Sequence, residues 1–168
     1  IVSRGPEYTI ARREVEVGPG EPALLEAMLE RVVDTRGYIS GDMHLHTFTH
    51  SGHGDTNMEE RIITLCAEHL EWAVATDHNY ITDYRPTVQA LHAEKWIQTT
   101  VGNEVTTTEI GHFNAFPCDP DEPPVNWRIS DPRELFRRLR ADGAAVIQVN
   151  HPRWTGVRGA YFRELDVS

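Results

Sequence analysis

The sequence predicts an α/β fold with parallel strands, and two observations predict it. Short apolar runs alternate with segments that carry helix-start signals. The residues able to do chemistry (His44 and His46, Asp77 and His78, Glu104, His151) recur at or just after those runs. In α/β folds the C-terminal ends of the strands are where sites assemble.

In chain order, Glu7-Tyr8-Thr9-Ile10 and Glu14-Val15-Glu16-Val17 read as β-like pieces, and Gly18-Pro19-Gly20 interrupts them. Residues 21–33 fit either a helix through Ala23–Arg31 or an alternating strand, and Gly37 ends them. Residues 1–37 are read as an N-terminal extension, and 38–168 as the main domain. Tyr38 to His46 reads as a strand running into a loop. Thr56-Asn57-Met58-Glu59 has the form of a capping box, and the helix after it puts Met58, Ile62, Cys66 and Leu70 near one face. Trp72–Thr76 is a short buried strand; Pro86 opens a helix expected to reach about residue 95. His69 and His92 fall inside these two predicted helices, which makes them structural or surface residues. Ile97–Val101 and Gly111–Phe116 read as strands, with Glu104 closing the first of them. Asp131-Pro132-Arg133-Glu134 reads as a second capping box, whose helix buries Leu135, Phe136 and Leu139 before Gly143; Ala144–Val149 is the last strand.

The 168 residues fit one domain. With 39% apolar and 25% charged residues the chain is neither disordered nor a membrane protein, and no apolar run approaches the ~20 residues a membrane helix requires. A net charge of −10 argues against unaided binding to a phosphate backbone. Cys66 and Cys118 are too few for a disulfide scaffold, and neither lies in a nucleophile motif. No Gly-x-Ser-x-Gly elbow is present, which argues against a serine hydrolase. The opening Ile1-Val2-Ser3 and the close at Ser168 are read as the ends of a fragment of a longer protein, so the cellular compartment is left open.

Nine histidines are the unusual entry in the composition. His44-x-His46 in a strand puts both imidazoles on one face, within reach of one ion, and Asp42 shares that face. Taken singly, each residue has an ordinary role: Asp77 a cap, Glu104 a solvated carboxylate, His112 a core histidine bonded to a carbonyl, His151 a turn residue. Together, histidines and one carboxylate at successive strand ends have the composition of a Zn, Mn or Fe site. Their number exceeds one tetrahedral zinc, which points to two or three divalent ions with Glu104 bridging.

Five ordered motifs carry a family resemblance: Asp42-Met43-His44-Leu45-His46-Thr47, Ala75-Thr76-Asp77-His78-Asn79, Gly102-Asn103-Glu104-Val105, Gly111-His112 and Asn150-His151-Pro152. Over about residues 38–155 the chain resembles the polymerase and histidinol phosphatase (PHP) superfamily. Ser51-Gly52-His53-Gly54-Asp55 and Gly111-His112-Phe113-Asn114 look most like its carbaryl-hydrolase-like branch. The resemblance implies a metal-binding hydrolase domain over 38–168, a distorted seven-stranded β/α barrel here partial and truncated at its C-terminus, and it makes residues 1–37, through Arg4-Gly5-Pro6-Glu7-Tyr8, the tail of an upstream β-rich domain. It implies that His44, His46 and Glu104 hold one ion and Glu104, His112 and His151 a second. A third would be held by His78 with a loop ligand, His53 or Asp55, of which His53 is preferred; His50 becomes a rim residue. The late Asp-x-His motif of the family has no counterpart after His151, so another polypeptide, or another copy in an oligomer, is expected to complete the barrel if the site is complete.

The expected activity is metal-dependent hydrolysis, with Glu104, Asp77 and Arg153 assigned to catalysis, Arg153 holding an anionic group. The substrate class is a small-molecule phosphate ester, with a carbamate or carboxylic ester as the alternative. A non-catalytic metal-binding module is a third reading, and nucleic-acid processing is disfavoured by charge.

Overall fold

The computed structural model describes residues 1–152. Within them the expected seven-stranded barrel is absent. There are instead two three-stranded sheets and no closed barrel. In the first, β1 (Gly41–Leu45), β2 (Trp72–Ala75) and β3 (Gln98–Thr100) run parallel in the order β1-β2-β3. In the second, β4 (Asn103–Thr106), β5 (His112–Phe116) and β6 (Val146–Val149) are antiparallel in the order β4-β5-β6. The parallel expectation thus holds for the first half only. Residues 107–111 alone separate β4 from β5. A parallel crossover needs a dozen residues or more, so this connection can only turn the chain back as a hairpin. Glu104 accordingly lies inside β4 rather than closing the strand before it.

Four helices lie among the described residues: α1 (Phe48–Ser51), α2 (Met58–Ala67), α3 (Arg85–Ala90) and α4 (Pro132–Ala141). None is long and apolar enough to cross a membrane. The capping box of α2 sits one residue later than the sequence suggested. Asn57 is the N-cap: its side chain accepts from Glu60 N–H at 2.9 Å, and Glu60 Oε2 accepts from Asn57 N–H at 3.2 Å. The second predicted box is only an N-cap. Asp131 accepts from Arg133 N–H, while Glu134 turns outward to Arg137 and Arg138.

Three of the four helices, α2, α3 and α4, end by one device. The pairs His69 N–H to Cys66 C=O with Leu70 N–H to Leu65 C=O, His92 to Gln89 with Ala93 to Val88, and Gly143 to Arg140 with Ala144 to Leu139 are Schellman motifs. Their C′ residues have φ of 59°, 52° and 95°. His69 and His92 therefore stop helices rather than extend them, which corrects their predicted placement.

Each sheet has its own core. Leu45, Ala73 and Ala75 pack against Ile62 and Leu65 of α2 and Val88 of α3. Val105, Phe113 and Ala115 pack against Leu135 and Leu139 of α4, with Phe136 partly buried. Strand alternation then dictates the opposite face of the second sheet: Glu104 and Thr106 on β4, His112 and Asn114 on β5.

The sheets are stitched end to end. Beyond β2, His78 bridges Glu104 in parallel fashion; Glu104 N–H donates to Asp77 C=O at 3.1 Å and Asn79 N–H to Glu104 C=O at 2.8 Å. Gly102 occupies the joint. A Cβ there would lie 2.6 Å from Ala75 O, 2.9 Å from Val74 Cγ1 and 3.2 Å from Ala115 O. Since two of these neighbours are backbone, they cannot turn aside. We expect Gly102→Ala to cost about 2–3 kcal/mol in urea denaturation; a midpoint equal to wild type would show that the joint is loose.

Residues 1–37 form no helix and no named strand, so neither reading of residues 21–33 holds. The segment runs through turns at Gly5, Gly20 and Gly37 and is tied by isolated bridges at Val2–Ala11 and Tyr8–Arg31. It docks on the end of α2 through Glu7 Oε2, 2.7 Å from His69 Nδ1, and Gly5 N–H, which donates to Glu68 Oε2 at 3.0 Å.

Candidate metal centre

The site is built around Glu104, whose side chain is fully buried. Its two oxygens face different partners. His44 Nε2, His112 Nδ1 and His151 Nε2 lie 3.3, 3.4 and 3.7 Å from Oε1. His78 Nδ1 and His46 Nε2 lie 2.5 and 3.5 Å from Oε2. Strand geometry explains this convergence. His44 and His46 leave the C-terminal end of β1 on one face, His78 follows β2, and His112 is the cross-strand neighbour of Thr106, two residues from Glu104. The rings of His44 and His46 bring their Nε2 atoms within 3.1 Å. His53, after α1, places its ring 5.3 Å from that of His46 and 4.7 Å from that of His78.

Amide side chains aim the carboxylate. Asn150 Nδ2 uses both hydrogens, donating to Glu104 Oε1 at 2.6 Å and to Asn114 Oδ1 at 2.7 Å. Asn114, directly opposite Glu104 in register, donates through Nδ2 to Met43 C=O at 2.7 Å. The relay therefore ties β6, β4 and β5 to β1 beside His44. Sequence reasoning passed over both asparagines as site residues. The available signal was period two, since Asn114 shares a face with His112 and Asn150 precedes His151.

Ser51 was also missed. Its hydroxyl donates to Asp77 Oδ1 at 2.7 Å, accepts from His78 N–H at 3.2 Å, and lies 3.4 Å from His46 Nδ1. Asp77 itself is fully buried and accepts also from Thr47 N–H (2.6 Å), Thr47 Oγ1 (3.0 Å) and Thr82 Oγ1 (2.9 Å). The carboxylate thus holds the β1–α1 turn against the end of β2. Asp42 accepts from His44 N–H at 2.9 Å, fixing backbone rather than imidazole.

The electrostatics suit cation binding. Burial pushes the Glu104 carboxyl up, but hydrogen bonds from His112, His44, His78 and Asn150 outweigh it and hold the group well below the usual carboxylate range. Burial, helped by repulsion from His78, lowers His46 to about 4. Burial and His112 likewise lower His151. His46 is thus neutral at pH 7, as a ligand must be. The same shift fixes a pH dependence. Between pH 6.5 and about 4 the unfolded chain binds a proton at His46 that the folded chain refuses, so stability falls as pH drops through this window. We expect chelator-treated protein to lose at most about 3 kcal/mol there. Urea titrations at pH 7 and pH 4.5 check it, and His46→Asn should flatten the difference.

The donor set fits divalent cations. Three triads, His44/His46/Glu104, His78/Glu104/His112 and His46/His53/His78, each have their ligand atoms mutually within 4.8 Å. A cavity of about 690 Å³ is lined by His44, His46, His53, His78, His112 and His151. The histidines assigned from sequence as ligands thus meet at one place. His151 lies at its edge, outside the three triads, and His78 joins Glu104 and His112 rather than standing apart. Asp77 is not among the lining residues. His50 stacks on Tyr80 at 4.1 Å and 11°. Asp55 is exposed and accepts from Thr56 Oγ1. Arg153 lies outside the described residues.

No family model matches the chain, and no curated protein matches it.

Proposed function

We propose that this chain is a metal-dependent hydrolase acting on a small-molecule phosphate ester, of the kind found in the PHP superfamily that its motifs resemble. The observation that carries the reading is one buried carboxylate ringed by five imidazoles from four stretches of chain, beside an open cavity. His44, His46, His78, His112 and Glu104 would hold Zn, Mn or Fe ions. When bound, such ions supply Lewis acidity and lower the pKa of water toward neutrality.

The chain's own residues supply the rest. Asn150 and Asn114 fix the carboxylate plane, so that each oxygen keeps its own set of imidazoles. The Ser51 hydroxyl sets the backbone at His78 and meets the outer nitrogen of His46. Arg153 is assigned to the substrate's anionic group. One feature favours the carbamate or carboxylic ester alternative: exposed Tyr80, stacked with His50 and two residues from His78, offers a flat apolar surface for an acyl or aryl substituent.

The test is metal analysis of protein purified without chelator, followed by turnover of p-nitrophenyl phosphate and p-nitrophenyl acetate with added Mn or Zn. Phosphate-ester turnover that chelator abolishes supports the primary reading. Turnover of the acetate alone supports the alternative. Bound metal with neither activity would leave a non-catalytic metal-binding module.

A further inference from the structure

The other face of the second sheet carries a separate cluster. Strand alternation turns Asn103, like Val105, away from the histidines and toward α4. There a groove of about 840 Å³ lies between residues 119–129 and α4 with its C-cap, Asp142. A cleft of about 20 Å³, room for one water-sized group, adjoins it. The two share Asp119, Glu122 and Asp142, and the cleft reaches in to Asn103 and Cys118. Asn103 is 2% exposed, and its Oδ1 has no hydrogen-bond partner among the described residues. An unsatisfied buried acceptor is destabilising, and a hydrogen-bond donor or a cation relieves it.

The surrounding charge selects the partner. Among the described residues no Lys, Arg or His lines the cleft. Arg138 lines the groove, but Glu134 holds it at 2.9 Å, with Asp142 adding a weaker pull. Asp119, Glu122 and Asp142 therefore leave the pocket negative. The Cys118 thiol, pushed up to about 11 by burial and then by Asp142, stays neutral. These carboxylates do not converge on a point ion: among the described residues, the groups of three close ligand atoms all lie at the histidine centre. Separated carboxylates suit a ligand whose positive charges are also separated. Pro123, Val125, Ile129 and Ala141 give the groove an apolar wall on which methylenes can pack.

We propose that this groove binds a linear aliphatic diamine. One ammonium sits in the cleft and donates to Asn103 Oδ1, the methylenes lie along the apolar wall, and the second ammonium meets the carboxylates of the groove. The site shares no residue with the imidazole-lined cavity, so it stands or falls independently of the metal-centre reading.

The test is calorimetric titration of the full chain with cadaverine, a linear diamine, and with pentanediol, its neutral counterpart. Cadaverine should bind with a Kd below about 1 mM at low salt and more weakly as salt rises, and the diol should not bind. Asn103→Leu removes the acceptor and nearly keeps the volume. Its urea midpoint should be no lower than wild type, because the unsatisfied oxygen is gone, yet its Kd for cadaverine should rise at least about tenfold. Asp142→Asn, at an exposed position, should raise the Kd roughly threefold and decides the matter if Asn103→Leu does not fold. Either variant binding cadaverine as tightly as wild type overturns the proposal, as does wild type that binds the diol equally well. Binding of Ca²⁺ that Asn103→Leu abolishes, with no binding of cadaverine, makes this a metal site and overturns it too.

Discussion

Glu104→Gln is expected to remove at least one bound ion per chain and, with it, the hydrolysis proposed above. The amide keeps the shape of the carboxylate but has one neutral acceptor oxygen. Asn150 donates to Oε1, so the amide oxygen must take that side to avoid donor facing donor. The new NH₂ group then occupies the Oε2 position, 2.5 Å from His78 Nδ1 and 3.5 Å from His46 Nε2. It offers those imidazoles a hydrogen and claims the lone pairs that would bind metal. The loss of affinity should exceed the ~10–100-fold typical of removing an outer partner of a metal ligand, because a shared anionic ligand is lost. Metal analysis after dialysis, with thermal unfolding as a folding control, checks it. A folded variant retaining the full wild-type metal content would remove Glu104 from the centre of the site.

Asp77→Ala should produce the largest loss of stability. It strips acceptors from four buried or half-buried donors: Thr47 N–H and the hydroxyls of Thr47, Ser51 and Thr82. An unsatisfied buried donor costs about 1–3 kcal/mol, and hydroxyls can turn to other acceptors, so the expected total is about 4 kcal/mol. Asp77→Asn should cost only about 1–2 kcal/mol, because its oxygen can still serve the three donors at Oδ1 while the amide nitrogen faces Thr82 Oγ1. Urea denaturation of both variants measures the difference. If Ala and Asn were equally mild, the Asp77 network would not be what fixes the β1–α1 turn. Its separation from the imidazole-lined cavity makes a structural role the expected one, with metal binding affected only through Ser51 and His78.

The site was more legible than the fold, for a physical reason. Ligand chemistry is local: His44-x-His46 on one strand face, His78 and His151 after strands and a single Glu among them are recognisable without knowing how strands pair. Asn114 and Asn150 were not recognisable in that way. An amide side chain is as common on a solvated surface as in a relay, and only the register opposite Glu104 makes it a positioning residue.

By itself the sequence determined where most elements begin and which faces they bury. β2, β5, β6 and α4 lie within a residue or two of their predicted spans, because strand alternation and helix-start chemistry act over a few neighbouring residues, while β1 starts three residues after Tyr38. The pairing of β4 with β5 was read wrongly as parallel, because no strand was expected at Asn103–Thr106; once that strand exists, its five-residue connection to His112 can only make a hairpin. Only the tertiary structure decided the rest. His69 and His92 adopt the left-handed conformation that usually favours glycine, and for His69 the compensation is distant, its imidazole held by Glu7 and edge-on to Tyr8. The sheets meet through contacts between residues far apart in sequence, Gly102 against Ala75 and Asn114 against Met43. No local propensity encodes such pairings, because their free energy exists only once both partners are in place.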